Sequence, residues 1–320
     1  MQVQARTATA DPQGENLTPV SEGLSVSEEV HEPPMPRRIA GDPTGGLWVG
    51  AVNGDLAHVR VGGWEFVGGW ELRRWELTLS LSYDDPMRYL IGTSGYNYSE
   101  WRGTFYPEKC PTNKMLAFYA ERFNTVEVNY TFYRMPTEKL LDGWANGTPD
   151  GFTFTLKAPR RITHDSRLQR CEDTTEAFCR IAATLGPKLG VLLFQLPPNL
   201  KRNDDVLLAF LDTLPHGARA AFEFRHESWH DEAVFAALRT RNIALCIADS
   251  EKMSTPVVAT ADYSYFRLRD EGYQPADIER WGTVIGRLSG AKDAYVYFKH
   301  EEQGKGPEFA NLLRTSLGKE

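Results

Sequence analysis

The sequence predicts an α/β fold: a (β/α)8 barrel of the TIM type behind a largely disordered N-terminal extension. Two observations predict the barrel. Eight runs that read as strands follow one another at 89–95, 125–133, 152–159, 189–197, 219–226, 243–249, 263–269 and 294–301, and each ends in polar or charged residues. Segments with helical spacing of apolar residues separate them. Eight strand–helix units in succession point to a closed barrel, and barrel enzymes place their sites at the C-terminal ends of the strands.

Within each run, successive side chains point to opposite faces. Glu127 and Asn129 oppose Val126 and Val128; Thr153, Thr155 and Lys157 oppose Phe152, Phe154 and Leu156. Glu223 and Arg225 oppose Phe222 and Phe224, Arg267 and Arg269 oppose Phe266 and Leu268, and Tyr297, Lys299 and Glu301 oppose Val296 and Phe298. The layer facing the helices must be apolar, so the polar set is expected inside the barrel, its last members lining the mouth. The intervening helices fit. Thr112 is a candidate cap for a helix over 112–122, with Met115, Leu116, Tyr119 and Phe123 on one stripe. Asn203 or Asp204 is placed to cap a helix carrying Val206, Leu207, Phe210 and Leu211, and a last helix over 307–317 closes the barrel.

The chain divides in composition near residue 86. Residues 1–86 hold 13 acids, 6 Arg and no Lys, which accounts for the whole net charge of −7; residues 87–320 are balanced. The barrel therefore lacks the bulk basic field of a nonspecific nucleic-acid binder. Residues 1–43 are rich in Pro, Glu, Ser, Thr and Gly and are expected to be disordered. A tandem hexamer follows, Val61-Gly-Gly-Trp-Glu-Phe66 and Val67-Gly-Gly-Trp-Glu-Leu72, whose Gly-Gly pairs suit hairpin turns but whose two copies are too few for a solenoid. Met87 directly precedes the first barrel strand, and the natural start is expected there. The division is thus 1–86, a low-order extension, and 87–320, the barrel. No run of about 18 uncharged apolar residues and no basic-then-apolar leader is present, so a cytoplasmic protein without a membrane partner is expected. The four cysteines have neither CxxC spacing nor clustered His, which fits reduced structural thiols.

Several motifs in fixed order resemble the YecE-like proteins, the "domain of unknown function 72" family. They are Ile91-Gly-Thr-Ser-Gly95 with Trp101 and Phe105-Tyr-Pro107, Val126-Glu-Val-Asn-Tyr-Thr-Phe-Tyr133, Phe154-Thr-Leu-Lys-Ala-Pro159, Phe194-Gln-Leu-Pro-Pro198, Phe222-Glu-Phe-Arg-His-Glu-Ser-Trp229 and Tyr295-Val-Tyr-Phe298. The resemblance runs from Met87 to the C-terminus and implies a (β/α)8 barrel, with no activity attached. The chain departs from it after the last two strands. Arg267-Leu-Arg-Asp-Glu-Gly272 and Lys299-His-Glu-Glu302 stand where many members carry His-Gly and Asn-Asn or Asn-His pairs. That marks a more charged mouth.

Three constellations carry chemistry. Glu127, Glu223 and Asp249 are candidate catalytic carboxylates, with Lys157 as base or Schiff-base former and Arg225, Arg267 and Lys299 as anion clamps. The competing expectation is that these charges pair with one another inside the barrel. The same three carboxylates are the candidate set for a single divalent metal; cofactors are otherwise unassigned, and His226 and His300 are too few for a zinc cluster. The remaining candidate ligand contacts are Thr93, Ser94, Tyr98, Trp101, Asn129, Gln195 and Trp229, with aromatics that could stack on sugars or unpaired bases. Three functions follow: an enzyme (a hydrolase, lyase or isomerase) acting on a small anionic or sugar-like molecule, a nucleic-acid-binding or endonuclease IV-like repair protein, or a non-catalytic ligand-binding barrel.

Overall fold

The computed structural model describes residues 38–41, 47–50, 56–60, 63–66 and 87–318, apart from 252 and 289. The chain separates into two compact units, Met1–Tyr83 and Asp84–Glu320. In the first, β1 (Arg38–Gly41), β2 (Leu47–Gly50), β3 (Leu56–Arg60) and β4 (Gly63–Phe66) form an antiparallel sheet in sequence order. The β3–β4 hairpin pairs Arg60 with Gly63, at the first of the two Gly-Gly pairs. Residues 38–41 were expected to be disordered; antiparallel pairing with Leu47–Gly50 makes them a strand. The expectations for 1–37 and for the second hexamer fall outside the described residues.

The second unit is a nearly closed barrel of eight parallel strands. They are β5 (Arg88–Thr93), β6 (Thr125–Val128), β7 (Thr153–Lys157), β8 (Leu189–Gln195), β9 (Ala220–Glu223), β10 (Ala244–Ser250), β12 (Tyr263–Leu268) and β13 (Asp293–Phe298). A two-residue β11 (Met253–Ser254) folds back antiparallel on β10. Hydrogen bonding runs β5-β13-β12-β10-β9-β8-β7-β6. The ends of that path meet where Ser94 bridges Glu127 and the Gly95 amide donates to the Glu127 carbonyl at 2.8 Å. Gly92 is required near this seam: a Cβ there would collide with the Thr125 carbonyl and lie 2.7 Å from the Tyr119 hydroxyl.

Helices cover the outside: α1 (Thr112–Ala120), α3 (Glu138–Asn146), α4 (Glu172–Ala182), α5 (Asp204–Asp212), α6 (Glu232–Thr240), α7 (Pro275–Arg287) and α8 (Lys305–Ser316). Their apolar stripes pack on Phe154, Phe222, Phe266, Val296 and Phe298, outward residues expected from alternation, and on Leu192 and Phe194 of β8. Asn203 caps α5 by accepting from the Val206 amide at 3.1 Å. Thr112 does not cap α1: Pro111 takes that position, and the Thr112 hydroxyl accepts from Arg102. The second predicted strand also ends early. It stops at Val128 and turns into α2 (Tyr130–Tyr133), because the Thr131 hydroxyl donates to the Val128 and Lys157 carbonyls and folds the chain inward there. No described helix is long and apolar enough to cross a membrane.

The barrel interior is filled, not hollow. Tyr263, Tyr265, Tyr295 and Tyr297 occupy it with Leu90, Val191, Leu193 and the small Ala221, Ala244 and Ala248. Large side chains on β12 and β13, next to small ones on the neighbouring β10 and β9, fill the axis of an eight-stranded barrel. Every tyrosine hydroxyl there has a partner, as burial demands. Tyr297 meets Thr125 and Thr155 at 2.7 and 2.8 Å, Tyr263 donates to the Ala220 carbonyl, and Tyr295 accepts from Arg219. At the N-terminal end Asp293 is held by Arg88 and Arg219. That end is sealed; the other end is where charge gathers.

Candidate functional site

Above the tyrosines lies a buried charged layer built on Arg267. Its guanidinium grips Glu127 with Nε and Nη2, at 2.9 and 2.8 Å, and reaches Glu223 with Nη1 at 2.6 Å. Both carboxylates are completely buried and the arginine nearly so. Glu127 also accepts from Tyr265 at 2.5 Å and from Ser94, whose hydroxyl takes a bond from Asn129. Gln195 donates to Glu223 at 2.7 Å. The second Glu223 oxygen, Oε1, accepts no hydrogen bond and faces Arg269 at 3.4 Å. Burial would raise the pKa of both carboxylates. Arg267 outweighs it for Glu127, and Arg267 with Arg269 brings Glu223 down to about 2. Both are therefore fixed anions, a poor basis for the acid/base pair expected of them: at neutral pH neither has a proton to give.

A second set of cations stands above this layer. Lys157 ends β7 on the face of Thr155, whose hydroxyl meets Tyr297, so its amine rises from the interior towards the mouth. It is 9% exposed, lies 4.2 Å over the Phe132 ring, and has no hydrogen bond or ion pair among the described residues. Burial and the neighbouring Arg267 lower its pKa to about 8. Arg225 is half-buried; burial lowers its pKa, and Arg269 and Arg267 add to the effect against the pull of Glu223. It too has no acidic partner within ion-pair distance among the described residues. Lys299 is more exposed and lies 3.8 Å from Glu301. Arg225, Arg269 and Lys299 line one cleft of about 550 Å3 with Pro198, His226 and Ser250. Glu227, Glu251 and Glu271 line it as well. Lys157 is not part of that lining; it stands near enough to Lys299, which is, for that charge to lower its pKa.

Other expected contacts lie elsewhere. The three carboxylates do not converge on a metal: Arg267 separates Glu127 from Glu223, and Asp249 points outward to the Tyr273 hydroxyl and Trp281 indole of the α7 side. Strand alternation explains this, since Asp249 has the parity opposite to Ala248 and Cys246. Trp101 and Trp229 are core residues. Trp101 donates to the Glu301 carbonyl, and Trp229 stacks on Phe224 while donating to the Leu200 carbonyl. Thr93 is buried against Tyr119, and Tyr98 is half-buried, bonded to the Ser94 carbonyl. His226 is satisfied locally by Ser228.

Arg269 was placed inside with Arg267 by parity but was left out of the candidate contacts. Phe132 was not signalled, because it reaches Lys157 only through the α2 turn.

These features define a class: a (β/α)8 barrel whose interior is filled by tyrosines and whose C-terminal mouth holds arginines and lysines above two buried carboxylates. Residues 90–320 match the family model described as "Protein of unknown function DUF72", and the chain belongs to that family. It is 32% identical to "UPF0759 protein YecE" of Escherichia coli K12 in a match covering 46% of this chain and 54% of that protein, so it spans about half of that relative's length. It is 29% identical to "UPF0759 protein YunF" of Bacillus subtilis, over 70% of this chain and 94% of that one. A DUF72 family crystal structure from Thermotoga maritima superposes with a TM-score of 0.66 at 26% identity, covering 72% of this chain and all of that one. One from Enterococcus faecalis, at 18% identity and TM-score 0.61 over 73% of this chain and 99% of that one, shares the fold.

Proposed function

We propose that the barrel is an enzyme that binds a small anionic, sugar-like molecule in the mouth cleft and acts on it with the Lys157 amine. The observation that carries this reading is Arg225, half-buried near Glu223, Arg269 and Arg267 and, among the described residues, with no acid within ion-pair distance. A guanidinium brought that close to like charges is stabilised by an anion delivered from outside, and its planar fork suits carboxylate or phosphate oxygens. The cleft volume suits such a ligand. The self-pairing alternative accounts for Glu127, Arg267 and one oxygen of Glu223, but leaves Glu223 Oε1, Lys157 and Arg225 over.

A panel of sugar phosphates and small carboxylates is expected to raise the melting temperature, by about 5–10 °C at a hundredfold excess over Kd. Arg225→Ala is expected to remove the shift. No shift with any anion, or a shift unchanged by Arg225→Ala, contradicts the site. A shift without turnover would make the barrel a ligand binder.

A second reading has its own observation. Tyr133 is 81% exposed and Tyr130 45%, on the α2 turn, and Phe132 between them contacts His164 in the next loop. That loop carries the exposed Arg160, Arg161, Arg167 and Arg170, of which, among the described residues, only Arg160 is ion-paired, to Asp165. Exposed aromatics with arginines suit stacked, single-stranded nucleic acid. Fluorescence anisotropy with a labelled oligothymidylate would show affinity falling steeply with salt and weakened roughly tenfold by Tyr133→Ala. Flat, absent binding at low salt removes this reading.

A further inference from the structure

The cation-rich mouth supports binding; what the Lys157 amine does once an anion is bound is a separate question, and it rests on that binding reading. Acid–base chemistry through Glu127 and Glu223 is poorly served, because both are locked to Arg267. Oxygen nucleophiles are also tied up: Ser94 is shared by Glu127, Asn129 and Arg267, and Thr93 by Tyr119 and the Gly95 carbonyl. All four cysteines are buried, and Cys246, the one inside the barrel, has its thiol pushed well up by burial. Among the chemistry-bearing groups of the inner mouth, Lys157 alone combines an interior position at a strand end with an amine that has no hydrogen bond or ion pair among the described residues. Phe132 shields one side of it.

We infer that Lys157 captures its substrate covalently, and that the substrate is a small carbonyl compound bearing a carboxylate or phosphate, held by Arg225 and Arg269 while its carbonyl carbon meets Nζ. The neutral amine donates its lone pair to that carbon. The carbonyl π pair moves to oxygen, which takes a proton as the nitrogen loses one, giving a carbinolamine. The remaining N–H proton passes to the hydroxyl as the C–O bond breaks, so that water leaves and the nitrogen electron pair forms the C=N bond of an imine. No oxidant or reductant enters. The cationic surroundings assist twice. They hold the anionic tail, and they keep a useful fraction of the amine unprotonated near neutral pH, since the Lys157 pKa of about 8 against an ordinary lysine leaves about 300-fold more free amine below pH 8. Once the imine forms, its protonated nitrogen can draw electrons from the adjacent carbon, which suits a lyase or an isomerase better than a hydrolase.

The test is reductive trapping. The full-length chain is incubated at pH 7.5 with cyanoborohydride and, separately, pyruvate, dihydroxyacetone phosphate or neutral dihydroxyacetone, and modified lysines are mapped by peptide mass. The expected result is selective labelling of Lys157 by an anionic probe, at least tenfold over dihydroxyacetone, rising with pH through about 8 and lost in Arg225→Ala. Labelling of Lys157 by neutral and anionic probes alike overturns the substrate class. Thermal stabilisation by the anionic probes with no adduct at Lys157 overturns the imine and leaves the anion site standing. Neither stabilisation nor adduct with any member of the anion panel overturns the imine and the binding reading together. Lys157→Arg, which keeps the charge but cannot form the imine, is expected to retain thermal stabilisation by the anions and to lose the adduct.

Discussion

Arg267→Met is expected to be the most damaging single substitution in the barrel. It leaves Glu127 and Glu223 buried with no guanidinium between them. Removing one partner of a buried ion pair costs about 3–5 kcal/mol, and here two carboxylates lose the same partner. The loss is comparable with the whole stability of an ordinary domain. The variant should be insoluble or unfold at far lower denaturant than the parent. Its pH dependence should also invert on the acid side. In the parent, Glu223 titrates near 2, below an ordinary glutamate, so its contribution is present above about pH 4.5 and is lost as pH falls towards 2. In Arg267→Met, burial acts on Glu127 without its main counterweight and that carboxyl rises above its unfolded value, while Glu223 loses the larger of its two arginines and keeps Arg269. Stability is then highest at low pH and falls as pH rises through the raised Glu127 value. The triple variant Glu127→Gln, Glu223→Gln, Arg267→Met should regain most of the loss. Urea midpoints at pH 5 and pH 8 for the three proteins check this; a cost below about 1 kcal/mol for Arg267→Met would show that the layer is not the electrostatic lock described.

Lys157→Met is expected to do the opposite: strengthen the fold while ending its chemistry. Lys157 has a lower pKa folded, about 8, than unfolded, so below pH 8 the folded state carries a charge it disfavours. The gap is worth about 3 kcal/mol at pH 7 and about half that at pH 9.5, because the unfolded chain then also begins to lose the proton. Parent stability should therefore rise between about pH 8 and pH 10.5. Methionine keeps the apolar stem against Phe132 without the charge, so the melting temperature should rise by about 5 °C or more at pH 7, with a smaller gain at pH 9.5. Stabilisation on removing a residue is the signature of a group kept for function at a cost to the fold. Equal or lower stability of Lys157→Met at pH 7 would show that the amine is not under strain.

The barrel was legible because its signal is repeated eight times and each strand carries its own alternation. Parity alone placed Glu127, Lys157, Glu223 and Arg267 inside and packed Phe154, Phe222 and Phe298 under the helices. The same rule, applied to Asp249, would have turned it outward; it was grouped with the mouth for its charge. Which charges pair was not legible, because a strand fixes a face and not a partner. Arg267 bridging β6 and β9 depends on side-chain length across the barrel. The end of the second strand was misread because Tyr130-Thr-Phe-Tyr133 has strand-like composition; hydrogen bonds from Thr131, one of them to a residue on another strand, decide it. Trp101 and Trp229 looked like ligand platforms since loops carry them, yet their indoles are consumed in closing those loops on the core.

The central claim is that one lysine at the barrel mouth carries an amine poised near neutrality. Its most direct test is the pH titration of the lysine side chains by NMR, with the Lys157→Met variant assigning the resonance. One lysine titrating near pH 8 and absent from the variant is the predicted result; every lysine titrating at about 10 or above would contradict it.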